Sequence, residues 1–229
     1  MKNALEKAGR AVKKLDYNSP VILTFALLSF VSLLLGFATG GKSTNEFFMV
    51  YQSSFAEVLT YVRFFGHVLG HADFNHFLSN FLMILILGPL LEEKYGSKRM
   101  LFMILLTAFV TGLINFAFFA PTRLLGASGV VFMLILLSSF ANMKKGRIPI
   151  TFILTVSVFI GREIHAGFLA QDNISHISHI IGGLCGALLG YIINRNKCKR
   201  DEAAAAKAEE EKLLAKEEEG AEEKDGKKA

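Results

Sequence analysis

Apolar residues collect in six runs, 20–37, 74–91, 100–120, 127–141, 148–169 and 174–193, separated by shorter polar links. Each run holds about 15 to 22 residues, near the length of helix that crosses the hydrocarbon core of a bilayer. A strand with an open edge cannot satisfy its backbone in lipid, so every run is predicted to be helical. The pattern predicts an all-α, polytopic membrane protein with six transmembrane helices. Residues 1–19 form a cytoplasmic leader, amphipathic or disordered, with Leu5, Ala8, Val12 and Leu15 at roughly helical spacing. Residues 20–194 form the membrane domain, and 195–229 a basic juxtamembrane patch followed by a charged cytoplasmic tail. That tail has almost no apolar face, and a solvated, disordered chain is expected there.

The links carry further signals. The longest, 42–73, is rich in aromatic residues such as Phe47, Phe48, Tyr51, Phe55, Phe64 and Phe65. Such a loop suits the membrane interface, or a small cap folded over the helix ends. The fourth run is the shortest. Its 15 residues give about 23 Å of helix, less than the ~30 Å hydrocarbon thickness, so its first residues are expected to lie below the membrane surface. The sixth run has glycines four apart at Gly182, Gly186 and Gly190, a groove into which a second helix, expected to be the fourth, can press closely.

Charge sharpens the topology. The net charge of +5 divides unevenly: residues 201–229 hold 11 acidic against 6 basic side chains, and the remainder 9 against 19. With the N-terminus inside, the cytoplasmic segments before residue 201 carry 15 Lys and Arg, and the outer segments only Lys42, Arg63, Arg123 and Arg162. This bias favours an inner, plasma-membrane protein with both termini cytoplasmic. It explains the basic residues without nucleic acid as a partner. Cys185 and Cys198 fall on the lipid and cytoplasmic side, where no structural disulfide is expected.

The second, fourth and sixth runs all cross from outside to inside, so their first turns share one face of the membrane. Each brings polar groups to that face. His76 and Asn80, four apart, share one side of the second helix, with Asp73 or Asn75 as its cap. Ser128 opens the fourth between Gly126 and Gly129, and His179 lies in the second turn of the sixth. Ionisable groups inside a span are costly and point to function. A serine hydroxyl becomes a nucleophile when a positioned imidazole takes its proton. His179 is the expected base over His176, because Gly182 three residues on lets its helix approach Ser128. Backbone N–H of Ser128, the Asn80 amide and the His76 ring are the candidate oxyanion donors. Glu163 and Asp172 sit too far out to orient His179, which leaves a dyad.

With those residues in view, the sequence resembles the rhomboid family of intramembrane serine proteases. The resemblance rests on a His-x4-His-x3-Asn stretch at His71, His76 and Asn80, a Gly-x-Ser-Gly stretch at Gly126, Ser128 and Gly129, and a His-x2-Gly-x3-Gly stretch at His179, Gly182 and Gly186. It implies Ser128 as nucleophile, His179 as base, and His76 with Asn80 lining an oxyanion hole. Arg63, His71, Glu92, Lys94 and Gly96 match positions that support the fold. Two positions depart from the family pattern: Val62 precedes Arg63 where tryptophan is common, and Ser178 precedes His179 where alanine is usual. The implied partners are transmembrane protein substrates and the lipid bilayer, with no cofactor and no metal. Two other readings are a non-catalytic rhomboid-like protein that binds membrane clients, and a transporter lined by His71, His76, His176 and His179. Retention of both Ser128 and His179 speaks against the first, and the glycines around Ser128 against the second.

Overall fold

The computed structural model describes residues 17–119, 122–141, 147–169 and 174–226, with side chains described through 161 and from 176 to 212. Its elements are α1 (Pro20–Ala38), α2 (Lys42–Phe47), α3 (Val58–Gly66), a 3-10 turn (His67–Leu69), α4 (Phe74–Tyr95), α5 (Ser97–Phe118), α6 (Ser128–Ser139), α7 (Ile150–Leu169) and α8 (Ile174–Gly226). Among the described residues the only pairing outside helices is an antiparallel bridge between Val50 and Leu124. The protein is all-helical. Among the described residues, four helices are long and apolar enough to cross a membrane: α1, α4, α5 and the described part of α8. The fourth expected run appears as the shorter apolar helix α6, and the fifth as the 20-residue α7, whose part with described side chains, Ile150–Gly161, is apolar. The expected amphipathic leader lies, apart from residues 17–19, outside the described residues, as do Asn142, Lys144, Lys145 and Asp172; the side chains of Arg162 and Glu163 also lie outside the description.

Helix α6 is the axis of the molecule. Eight of its residues, Gly129 to Leu134 with Leu136 and Leu137, are buried. A helix that is apolar all round has no solvent or lipid face to offer, and so is enclosed by its neighbours. Its 12 residues span about 18 Å. Helices α4, α5, α7 and α8 all pack on it.

On one flank α1 runs antiparallel to α4. Ile22 sits over Gly88, and Phe25 meets Phe81 with ring centroids 5.4 Å apart. The first N–H groups of a helix need acceptors from outside it, and Ser19 supplies no side-chain cap. Glu92, at the far end of α4 and 2% exposed, accepts instead from the N–H groups of Val21 (3.0 Å) and Ile22 (2.9 Å). A carboxylate is also the charge that a helix N-terminus favours. Gly96, at φ +83°, turns the chain from α4 into α5 in a conformation that a Cβ would disfavour.

The 42–73 link folds as a cap of α2, α3 and the 3-10 turn. Arg63, buried in it, donates Nε–H to the Glu46 carbonyl (2.7 Å), lies 3.7 Å from the Glu57 carboxylate, and stacks its guanidinium over Tyr51 (4.5 Å). Anchoring therefore falls to Arg63 with Tyr51, while Val62 is 44% exposed. The tail departs from expectation. Residues 201–212 are all exposed, as a charge run requires, but the backbone continues as helix to Gly226. Alanines at 203–206 and alternating Glu and Lys favour helix locally, and a span already in helical register supplies the nucleus that a free segment would have to form.

Candidate active site

Ser128 is the first residue of α6, half-buried, with Ala127 as its N-cap. Three tethers hold the turn before it. Leu124 exchanges two backbone hydrogen bonds of 2.9 Å with Val50, and the Gly126 N–H donates to the His67 carbonyl at 2.9 Å. Gly126 has φ +115°, a region closed to most side chains. A Cβ there would lie 2.7 Å from Nε2 of His76 and 3.9 Å from Nδ2 of Asn80. The absent side chain thus leaves the space that the His76 ring fills.

His76 and Asn80 come from the first two turns of α4. Asp73 caps that helix, its carboxylate accepting the His76 N–H at 2.8 Å. Asn80 is buried and donates Nδ2–H to the His76 carbonyl one turn back at 3.0 Å. Both side chains flank the turn that leads into Ser128.

The other flank is α8. A Cβ on Gly182 would lie 2.1 Å from the Gly129 carbonyl oxygen, and one on Gly186 2.1 Å from that of Met133. Backbone meets backbone along this seam, as the glycine spacing predicts. A Cβ on Gly129 in turn would come within 3.6 Å of the Ser178 carbonyl and 3.3 Å of the Thr111 methyl. The His179 ring lies 4.5 Å from that of Phe132, and Phe132 sits one turn after Ser128 on the same face of α6. The structure therefore brings the first turn of α6 between His76 and Asn80 on one side and the Ser178–His179 segment on the other. His176 lies one turn earlier on α8, its ring 6.2 Å from that of His179.

The supporting residues separate by place. Arg63 and His71 belong to the cap, whereas Glu92 and Gly96 lie at the opposite end of the bundle. Lys94 is there too, lining a cavity with Asn194 and Lys197. Sequence reasoning passed over His67. It is 1% exposed, Nδ1 donating to the Arg63 carbonyl (3.2 Å) and Nε2 facing the Thr111 hydroxyl (3.3 Å). Burial holds its pKa down at about 4. The helical spacing from Arg63 to His67 was the available signal, since it puts both on the inward face of one short helix.

The Rhomboid domain family matches residues 59–196 of this chain. Rhomboid-related protein 1 of Caenorhabditis elegans is 30% identical over 144 residues, covering 58% of this chain and 40% of the relative. Rhomboid-related protein 2 of Mus musculus is 29% identical over 145 residues, 57% of this chain and 47% of the relative. The chain thus spans less than half the length of these two relatives. The rhomboid protease GlpG of Haemophilus influenzae is 23% identical over 201 residues, covering 86% of this chain and 98% of the relative. With the matched segment running from the cap through the α6–α8 seam, this chain belongs to the rhomboid family.

Proposed function

We propose that this protein is an intramembrane serine endopeptidase that cuts transmembrane protein substrates with a Ser128–His179 dyad. The observation that carries the reading is the position of the first turn of α6, flanked by His76 and Asn80 through Gly126 and by the His179 segment through Gly129 and Gly182. Relatives named as rhomboid proteases, GlpG of Haemophilus influenzae and GluP of Bacillus subtilis, support it.

In this mechanism the His179 imidazole takes the Ser128 hydroxyl proton as Oγ attacks the scissile carbonyl carbon. The resulting oxyanion accepts hydrogen bonds from the Ser128 backbone N–H, the Asn80 amide and the His76 ring. Collapse breaks the C–N bond, His179 returns its proton to the leaving amine, and an acyl-enzyme remains. Water then gives a proton to His179 as its oxygen attacks the acyl carbon, the acyl–Oγ bond breaks, and His179 returns that proton to Ser128 Oγ as the acid product leaves. A peptide bond within a regular helix is shielded from attack, so the substrate helix must open locally, which small and helix-breaking residues near the cut favour.

The topology that goes with this reading has six crossings, α1, α4, α5, α6, α7 and α8, both termini cytoplasmic in an inner or plasma membrane, and the site near the outer surface. The Lys and Arg distribution supports that orientation. Labelling by a serine-directed fluorophosphonate in detergent tests the chemistry. Wild type is expected to label, Ser128→Ala not at all, and His179→Ala at least 10²-fold more slowly. Labelling that survives Ser128→Ala refutes the nucleophile, and equal rates for wild type and His179→Ala refute the base.

A further inference from the structure

His67 is buried at the head of the 3-10 turn and takes no part in the proton transfers of the dyad. Its ring bonds in two directions. Nδ1 lies 3.2 Å from the Arg63 carbonyl, an acceptor, so the ring proton resides there and Nε2 is left to accept. Burial holds the pKa down at about 4, which keeps the ring in that neutral form at ordinary pH. The donor facing Nε2 is the Thr111 hydroxyl of α5, at 3.3 Å. The same hydroxyl lies 2.8 Å from the Thr107 carbonyl, so it stays bonded within its own helix if the ring is removed. Contact at this range needs α5 to come close, and Gly112 allows it: a Cβ there would lie 3.2 Å from Cε1 of the ring.

Both members of this pair reach the turn that carries Ser128. The His67 carbonyl accepts the Gly126 N–H at 2.9 Å, two residues before Ser128. The Thr111 methyl lies 3.3 Å from the position a Cβ on Gly129 would take, one residue after it. Ser128 therefore sits in a short segment supported on either side by one hydrogen-bonded pair, drawn from the cap and from α5. Within that segment the Ser128 N–H must point where an oxyanion will form, and a misplacement of about 1 Å can cost about 10²-fold in rate. We propose that His67 is a positioning residue, its Nε2 bond to Thr111 joining the cap and α5 into one support for the 126–129 turn. The inference rests on the Ser128–His179 reading and adds to it a source for the geometry of the oxyanion donor.

The test uses the full chain in detergent with a transmembrane model substrate. Rates are divided by the number of Ser128 sites that a fluorophosphonate labels at completion, so that unfolded protein does not count. His67→Gln puts an amide near the level of Nε2, His67→Asn near that of Nδ1, and His67→Phe has neither. The Phe and Asn variants are expected to lower kcat per site by about 10–10²-fold with KM within about twofold, and His67→Gln to recover most of that loss. Thr111→Val, which keeps the shape and removes the hydroxyl, should lower kcat per site about tenfold, and combined with His67→Phe it should be no slower than His67→Phe alone. A residue that only stabilises the fold would lower the labelled fraction and leave kcat per site unchanged. That outcome, a rise in KM alone, equal losses in the Gln and Asn variants, or losses that multiply in the double variant overturns the proposal, and Thr111→Val decides it even where the His67 variants do not fold. A wild type without Ser128-dependent cleavage is a different result, which removes the protease itself and this inference with it.

Discussion

Helices α6 and α8 meet where Gly182 and Gly186 face the backbones of Gly129 and Met133, whereas directed polar bonds tie the start of α1 to Glu92 at the end of α4 and hold the 42–73 cap together through Arg63 and His67. The first contact is a matter of volume, and the second of donors and acceptors. Within a membrane the hydrophobic effect does little to drive helix against helix, so close van der Waals approach must take its place. At the cap and helix ends, charge-assisted bonds are the stronger device. Ser128 stands where the two kinds of contact meet: its helix is gripped by the glycine seam, and the turn before it hangs from the cap through Leu124 and Gly126.

The seam should fail first when volume is added. Gly182→Ala or Gly186→Ala would put a methyl group 2.1 Å from a carbonyl oxygen that belongs to backbone and cannot swing away. Overpacking of a rigid core typically costs about 1–3 kcal/mol, and these two variants are expected at or beyond the upper end. Unfolding titrations in mixed micelles should show the loss, with fluorophosphonate labelling of Ser128 lost in parallel. Wild-type stability in either variant would mean that α8 can slide on α6, and the distinction between volume and bonding would collapse.

Charge removal should strike the other contact. Glu92→Gln keeps the shape but leaves an amide where two backbone N–H groups point at 2.9 and 3.0 Å. Hydrogen bonds to a charged group are each worth about 1.5–3 kcal/mol, so a loss of about 2 kcal/mol is expected. Labelling of Ser128 should persist in the folded fraction, because Glu92 lies at the end of the bundle away from it. A variant as stable as wild type would show that α1 needs no cap from α4.

Acid should loosen the cap and spare the seam. His67 and His71 have pKa values held near 4 by burial, against an ordinary 6.5. Above pH 6.5 both are neutral, folded or unfolded, and their effect is nil. Below it the unfolded chain takes up protons that the folded cap refuses, so stability falls as pH drops from about 6.5 toward about 4 and levels off there. Between pH 7.5 and 6 the expected loss is about 1–2 kcal/mol for the pair. Hydrogen exchange across that range should quicken in 58–71 before it does in α6. Uniform exchange, or rising stability in acid, contradicts the assignment of two neutral buried imidazoles.

Much of this was legible from spacing. The glycines four apart in the sixth run foretold the seam, and the small residues around Ser128 foretold a turn that other groups approach. What spacing could not reach was contact across long separations. Glu92 reads as one of two acids ending a span, yet it caps a helix 70 residues away. His67 reads as one more polar residue in an aromatic loop until the fold closes over it. The helical tail was missed for another reason: a charge run with no apolar face looks unfolded when judged alone, and attachment to a preceding helix changes its nucleation.

Gly190→Ala is the smallest of these effects and the finest test of the comparison. Gly190 continues the same ladder, but the atoms a Cβ would meet, 2.8 to 3.0 Å away, belong to the side chain of Phe140 at the end of α6. That ring packs on Phe152 with centroids 4.5 Å apart, near the end of the bundle, and it can turn about its own torsions where a carbonyl cannot. A penalty below about 1 kcal/mol is therefore expected, partly offset because alanine lowers the backbone entropy cost of a helical glycine by roughly 0.5–1 kcal/mol. Since Gly182, Gly186 and Gly190 are the same residue at the same spacing, a steep fall in penalty along the ladder would show that the neighbour's rigidity sets the tolerance. Equal penalties at all three positions would mean instead that the seam responds to added volume anywhere along its length.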